Sequence, residues 1–204
     1  MNFPDRGLYA ITQAEGKTMD QVVAEVESAL KGGAVVVQYR DKQAIDAMAL
    51  ARRLLTLCHA YGAPLLINDS VELALAVGAD GVHLGKDDGD IYAARKRLGP
   101  AAIIGVSCYN DVAKACQAAE NGANYVAFGR FFPSGSKPLA APADIETLKI
   151  AKRQLEIPIV AIGGILPENA RQLLEAGADL LAVIGGLFDH EPQTAAAAYQ
   201  ALFQ

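Results

Sequence analysis

Arg40, Lys42, Asp69, Asp88 and Lys137 stand just beyond short apolar runs, and their chemistry is that of a polyanion site. Arg40, Lys42 and Lys137 are cations able to meet a pyrophosphate. Asp69 and Asp88 follow neighbouring apolar runs, and adjacent strands lie about 5 Å apart. Two carboxylates that close repel each other unless a cation sits between them. Oxygen-only ligands suit Mg²⁺, which keeps several waters and also binds substrate phosphates. Gly163-Gly164 and Gly185-Gly186 follow two later runs and leave backbone N–H groups open to a phosphate monoester. Two phosphate sites of different construction imply a reaction between two phosphorylated substrates.

Each of these groups has a plainer reading. Gln38-x-Arg40-x-Lys42 could be a solvated charge cluster, and the glycine pairs could be simple turns. Asp69 could cap a helix starting near Ser70, and Asp88 or Asp90 could cap the next one. Ser134 and Ser136 could be ordinary loop residues. His83 reads as a packed strand histidine, Cys108 as an inert loop thiol, and the tyrosines and phenylalanines as core. The plain readings fail only together, because unrelated turns and caps do not supply matching anion-binding groups at successive strand ends.

The elements that must carry these residues announce themselves by repetition. Gly33-Ala34, Gly78-Ala79, Gly122-Ala123 and Gly177-Ala178 each precede a short apolar segment, at spacings of 45, 44 and 55 residues. Each glycine is predicted to end a helix in a left-handed conformation. Further strand candidates are Leu8–Thr12, Leu65–Asn68, Ile103–Ser107 and Ile159–Ile162, which makes eight. They are continuous apolar runs, as in parallel strands covered on both faces. Between them the apolar spacing is helical. Thr18 with Gln21 forms a predicted capping box before Met19–Leu30. Ile45, Met48, Ala51, Leu55 and Cys58 mark a second amphipathic helix, and Pro167 opens one that Gly177 closes. Eight alternating units predict an α/β chain folded as a single (β/α)8 barrel of the TIM-barrel type, one catalytic domain over residues 1–204. An open doubly wound sheet is the alternative, but the even repeat offers no switch point. The connection from Gly129 to Ala143 is the longest, and a loop of that length reads as a lid.

Composition narrows the classes further. With 52% apolar and 20% charged residues, the chain carries enough apolar surface for a sizeable core. A net charge of −5 argues against a nucleic-acid surface. Three cysteines without a C-x-x-C pair argue against a disulfide scaffold or a zinc site. Met1–Arg6 does not read as a signal peptide, and no run of 18 apolar residues exists, so the expected location is cytoplasmic. A homo-oligomer is compatible with all of this.

At these residues the chain resembles the thiamine-phosphate synthase family, from Leu8-Tyr9-Ala10-Ile11-Thr12 to Ile184-Gly185-Gly186-Leu187-Phe188. The marks are Gln38-x-Arg40-x-Lys42, Asn68-Asp69, Gly81-Val82-His83-Leu84-Gly85 leading to Asp88, Gly105-Val106-Ser107, and Gly129-Arg130-Phe131-Phe132-Pro133 followed by Ser134-x-Ser136-Lys137. The resemblance implies that a hydroxymethylpyrimidine pyrophosphate and a thiazole phosphate are joined, with Mg²⁺ as cofactor. It implies that Gln38, Arg40, Lys42, Asn68, Ser107 and Lys137 bind the pyrimidine pyrophosphate and that Asp69 and Asp88 hold Mg²⁺. It further implies that Ser134, Ser136, Gly164 and the backbone of Ile184 and Gly185 hold the thiazole phosphate. Arg40, Lys42, Ser107 and Lys137 are then the catalytic groups, acting on the leaving pyrophosphate. Three positions depart from the family pattern: serines in the usual Thr-x-Thr, Gly185 in place of a serine, and Tyr109 where many relatives carry histidine. Rival readings are a thiazole tautomerase, a non-catalytic thiamine-phosphate sensor and a sugar-phosphate isomerase or epimerase. The first needs an acid–base group near the thiazole. The second can dispense with the metal carboxylates, and the third needs a base poised for proton abstraction.

Overall fold

The computed structural model describes residues 1–41, 46–85, 90–133 and 141–204. Eight parallel strands close into a barrel in strict sequence order, with β8 pairing back to β1. They are β1 (Gly7–Ile11), β2 (Ala34–Tyr39), β3 (Leu65–Asn68), β4 (Gly81–Leu84), β5 (Ile103–Tyr109), β6 (Tyr125–Phe128), β7 (Ile159–Ile162) and β8 (Leu180–Val183). Helices α1 (Met19–Lys31), α2 (Ala47–Ala60), α3 (Val71–Val77), α4 (Ile91–Leu98), α5 (Val112–Glu120), α6 (Ile145–Gln154) and α7 (Pro167–Glu175) alternate with them. A single short turn, α8 (Gly185–Phe188), follows β8, and α9 (Pro192–Gln200) completes the ring against α1. The single (β/α)8 barrel expected from the repeat is therefore the fold. No helix among the described residues is long and apolar enough to cross a membrane.

The strands are buried on both sides, which explains why their sequences do not alternate. Outward side chains such as Leu8, Val37, Leu65 and Leu181 pack under the helices. Inward ones, among them Tyr9, Val36, Leu66, Ile103, Tyr125, Val160 and Leu180, fill the cylinder. Helix starts follow the capping rules. Thr18 and Gln21 form the expected reciprocal box, and Asp46, Ser70, Asp90, Asp111 and Asp144 cap the next helices. Ser70, not Asp69, takes the hydrogen bond from Leu73 at the start of α3, so the capping alternative for Asp69 is set aside. Asp90 is the cap of α4, while Ile45 and Asp88 lie outside the described residues. Strand β5 runs to Tyr109, two residues beyond the expected end. Cys108 is therefore a buried strand residue and not a loop thiol, and burial pushes its pKa up to about 12, which keeps it unreactive.

The repeat has a physical basis one residue beyond the Gly-Ala pair. All four glycines have positive φ, as expected. In three of the four copies the next residue is Asp80, Asn124 or Asp179, and its side chain reaches to the start of the preceding strand. Asp80 accepts from Leu65 N at 2.9 Å, Asn124 from Ile104 N at 2.8 Å and Asp179 from Ile159 N at 2.9 Å. Each bracket satisfies an N–H at the foot of the barrel and fixes the stagger of two neighbouring strands. The copy at Gly33-Ala34 carries Val35 there, and Val35 packs against Gly7 instead. Asp80, 8% exposed, also meets the imidazole of His59 at 2.9 Å and the N-terminal ammonium at 3.6 Å. Asp80→Ala is expected to lower unfolding free energy by about 1–3 kcal/mol, the cost of orphaning a buried donor. Urea denaturation checks it, and an unchanged midpoint would remove the bracket from the list of stabilising contacts.

Candidate active site

One cavity of about 860 Å³ opens at the C-terminal ends of the strands. Its wall includes Gln38 and Arg40 at the end of β2, Asn68 and Asp69 after β3, and Ser107 on β5. Gly164 follows β7 on the same wall, and Ile184 and Gly185 lie beyond β8. Eight sequence-nominated residues thus share one enclosure at the end of the barrel where β/α enzymes carry their chemistry. Lys42, Asp88, Ser134, Ser136 and Lys137 lie outside the described residues.

Local chemistry fixes each group. The Thr12 hydroxyl, 1% exposed, accepts from Arg40 N at 2.9 Å and donates to Arg40 O at 3.0 Å. It clamps the backbone that presents the guanidinium. Asp69 has φ +62°, a left-handed conformation that aspartate tolerates better than most residues. Its N–H donates to His83 O at 2.9 Å, so the strand pairing of β3 with β4 continues into the turn. Its carboxylate accepts from Asn68 Nδ2 at 2.6 Å. Gly164 is demanded by crowding as well as by φ +63°: a Cβ there would lie 2.2 Å from Pro133 O. The chain after β6 runs across the end of β7, with Phe131 N donating to Ile162 O and Phe132 N to Gly163 O. The glycine pair therefore does more than turn the chain, since it lets Phe132 and Pro133 pass close by the end of β7. The long loop after β6 is also closed at its base. Ala143 N donates to Arg130 O at 2.7 Å, and Asn110 Oδ1 takes Asp144 N at 2.9 Å and the Thr147 hydroxyl at 2.5 Å.

Two residues that looked like plain core, His83 and Tyr9, line the cavity, and a third, Tyr125, joins them from behind. His83 is a buried strand residue as expected, but its ring lines the cavity with Nε2 2.8 Å from Ser107 Oγ and Nδ1 2.8 Å from Tyr125 OH. Tyr125 OH in turn meets Tyr9 OH at 2.8 Å, and Tyr9 OH accepts from Gln38 Nε2 at 2.8 Å. A polar chain thus crosses the apolar interior from β2 to β5. Desolvation holds the Tyr9 and Tyr125 phenols far above the ordinary tyrosine range, so both keep their protons at neutral pH. Tyr125 has room because β5 offers Gly105 opposite, where a Cβ would fall 1.9 Å from the tyrosine ring. Arg130 is another cavity residue that the sequence named only as part of a motif.

The electrostatics of the described wall are informative. Arg40 and Arg130 face it, and so do Glu15, Asp41, Asp69 and Asp189. Two guanidinium groups against four carboxylates do not make a pyrophosphate pocket by themselves. A polyanion there requires further positive charge. Among the described residues no three His, Cys, Asp or Glu side chains gather at one metal point. The Asp69 carboxylate on the cavity wall, an oxygen donor, fits a hard divalent ion.

Comparison with known proteins agrees with this geometry. A family model described as thiamine monophosphate synthase matches residues 8–187. A thiamine-phosphate synthase of Aromatoleum aromaticum is 50% identical over 201 residues, which span 97% of this chain and 96% of that protein. One from Nitrosococcus oceani is 52% identical over 201 residues, spanning 97% and 93%. Among solved structures, the thiamine phosphate pyrophosphorylase of Pyrococcus furiosus superposes with a TM-score of 0.87 at 35% identity, over 97% of this chain and 95% of that one.

Proposed function

This chain belongs to the thiamine monophosphate synthase family, and on that premise we propose that its cavity joins hydroxymethylpyrimidine pyrophosphate to thiazole phosphate, releasing pyrophosphate. It is a transferase. The observation that carries the residue-level reading is the convergence of Gln38, Arg40, Asn68, Asp69, Ser107, Gly164, Ile184 and Gly185 on one cavity.

In the reaction the bond between the pyrimidine's methylene carbon and the pyrophosphate oxygen breaks, and the electron pair leaves with pyrophosphate. The aminopyrimidine ring stabilises the resulting cation. The thiazole nitrogen donates its lone pair to that carbon, so no strong base or covalent nucleophile is required. The protein's task is to neutralise the leaving group and hold the thiazole in line. Arg40, Lys42 and Lys137 supply fixed positive charge, and Ser107 donates to a departing oxygen. Asp69 and Asp88 would hold Mg²⁺, which, when bound, offsets phosphate charge on a wall otherwise rich in carboxylates. Gln38 and Asn68 orient the pyrimidine end. Gly164, Ile184 and Gly185, with Ser134 and Ser136, take the thiazole phosphate. Gly185 and Gly186 open α8, where the first backbone N–H groups of a helical turn lack partners within it.

The direct test is to supply both phosphorylated precursors with Mg²⁺ and follow thiamine phosphate and pyrophosphate. Equal amounts of the two products are expected. Tight binding of both precursors without product would instead make the protein a sensor.

A further inference from the structure

The polar chain inside the barrel has a direction, and the direction reaches the site. An amide nitrogen only donates, so Tyr9 OH accepts from Gln38 Nε2, and pairing every buried hydroxyl hydrogen sends its own to Tyr125, 2.8 Å away. With Tyr9 as its donor, Tyr125 pairs its own hydrogen by giving it to His83 Nδ1, also at 2.8 Å. A neutral imidazole that accepts at Nδ1 carries its proton on Nε2. That proton points to Ser107 Oγ at 2.8 Å. We propose that the chain Gln38→Tyr9→Tyr125→His83 makes His83 a positioning residue, which holds the Ser107 hydroxyl as a donor aimed at an anion in the cavity.

The energetics favour a fully ordered chain. Every member is buried or nearly so, and an unpaired hydroxyl or ring nitrogen in this interior would cost several hydrogen bonds' worth of desolvation. Reversing the direction would turn the Ser107 hydrogen into the ring and leave only oxygen lone pairs facing the anion, which is repulsive. Tyr125 is held from outside the site: Phe3 stacks on its ring with centroids 4.0 Å apart and planes 6° from parallel. It does not line the cavity, so any influence it has on turnover passes through its neighbours in the chain.

The inference rests on the proposed reaction only for the identity of the anion, and its main test does not use turnover. The nitrogen resonances of the His83 ring, assigned by loss in His83→Gln, are read in ¹⁵N-labelled protein at a pH where the ring is neutral. The proton is expected on Nε2 in the parent protein and shared between both nitrogens in Tyr125→Phe. A parent ring protonated on Nδ1, or a Tyr125→Phe ring still wholly protonated on Nε2, overturns the proposal. Kinetics supply the second arm. Tyr125→Phe is expected to lower turnover about tenfold, the equivalent of one hydrogen bond. The KM for thiazole phosphate is expected to stay unchanged. In a Ser107→Ala background the same change should have no further effect, and two independent, multiplying losses would mean that Tyr125 does not act through Ser107. If Tyr125→Phe fails to fold, the parent resonances alone decide. If the parent shows no synthase turnover but the expected resonances, the reaction is wrong and the polarity stands.

Discussion

Asp69→Asn is expected to lower turnover by about two to three orders of magnitude, the usual loss when one preorganised charge-stabilising group is removed. Asparagine is the informative replacement. It keeps the size of the side chain and tolerates the left-handed backbone at this position, whereas alanine would add strain of its own. Lys137→Ala is expected to lose a similar factor. Both residues are proposed to act on charge that develops as pyrophosphate leaves, so kcat should fall while the KM for thiazole phosphate holds. A chelator should abolish turnover and added Mg²⁺ restore it. The physical ground is the sign of the wall, where four carboxylates outnumber two guanidinium groups among the described lining residues. Near-normal rates for both variants, with full activity in chelator, would sink the leaving-group mechanism and return Asp69 to a purely structural job.

Gly105→Ala is expected to be as damaging by a different route. The added methyl would sit 1.9 Å from the Tyr125 ring, and the ring cannot retreat because Phe3 stacks on its face and Tyr9 and His83 hold its hydroxyl. Overpacking of this kind costs about 3 kcal/mol or more when a rigid group is the obstacle. Thermal unfolding should show a clear fall in Tm. The surviving folded fraction should turn over slowly, because a displaced Tyr125 releases His83. Parent-like Tm and activity would mean that the barrel interior accommodates the methyl, and Gly105 would lose its explanation.

Much of this was legible in the chain because strand, helix cap and repeat each leave local marks. The Gly-Ala pairs located β2, β4, β6 and β8, and the apolar runs between them located the other four strands to within a few residues. Parallel strands end at a common rim, so the rim residues could be nominated as a site without knowing any contact. His83, Tyr9 and Tyr125 escaped for a reason that is also physical. Which side chains of a strand point into the cylinder depends on stagger between strands, and an apolar run covered on both faces carries no alternation to reveal it. A histidine in such a run looks the same whether it packs under a helix or lines a cavity. Cys108 was misplaced because β5 continues past Ser107 through an irregularity in its pairing with β6, which a one-strand reading does not register. The Gly163-Gly164 pair was noticed, but the crossing segment that needs it lies some thirty residues earlier in the sequence.

The Asx side chains at the barrel foot also divide the cylinder. Asp80 ties β4 to β3, Asn124 ties β6 to β5, and Asp179 ties β8 to β7, always within an odd–even couple. The ring is in effect sewn from two-strand panels, three of them stitched along the hem and the fourth, β1 with β2, closed there by the fit of Val35 against Gly7. That fourth panel has an apolar fit where the other three have a polar stitch. It also carries Tyr9, Gln38 and Arg40, so loosening at the foot of one seam would be felt at the mouth.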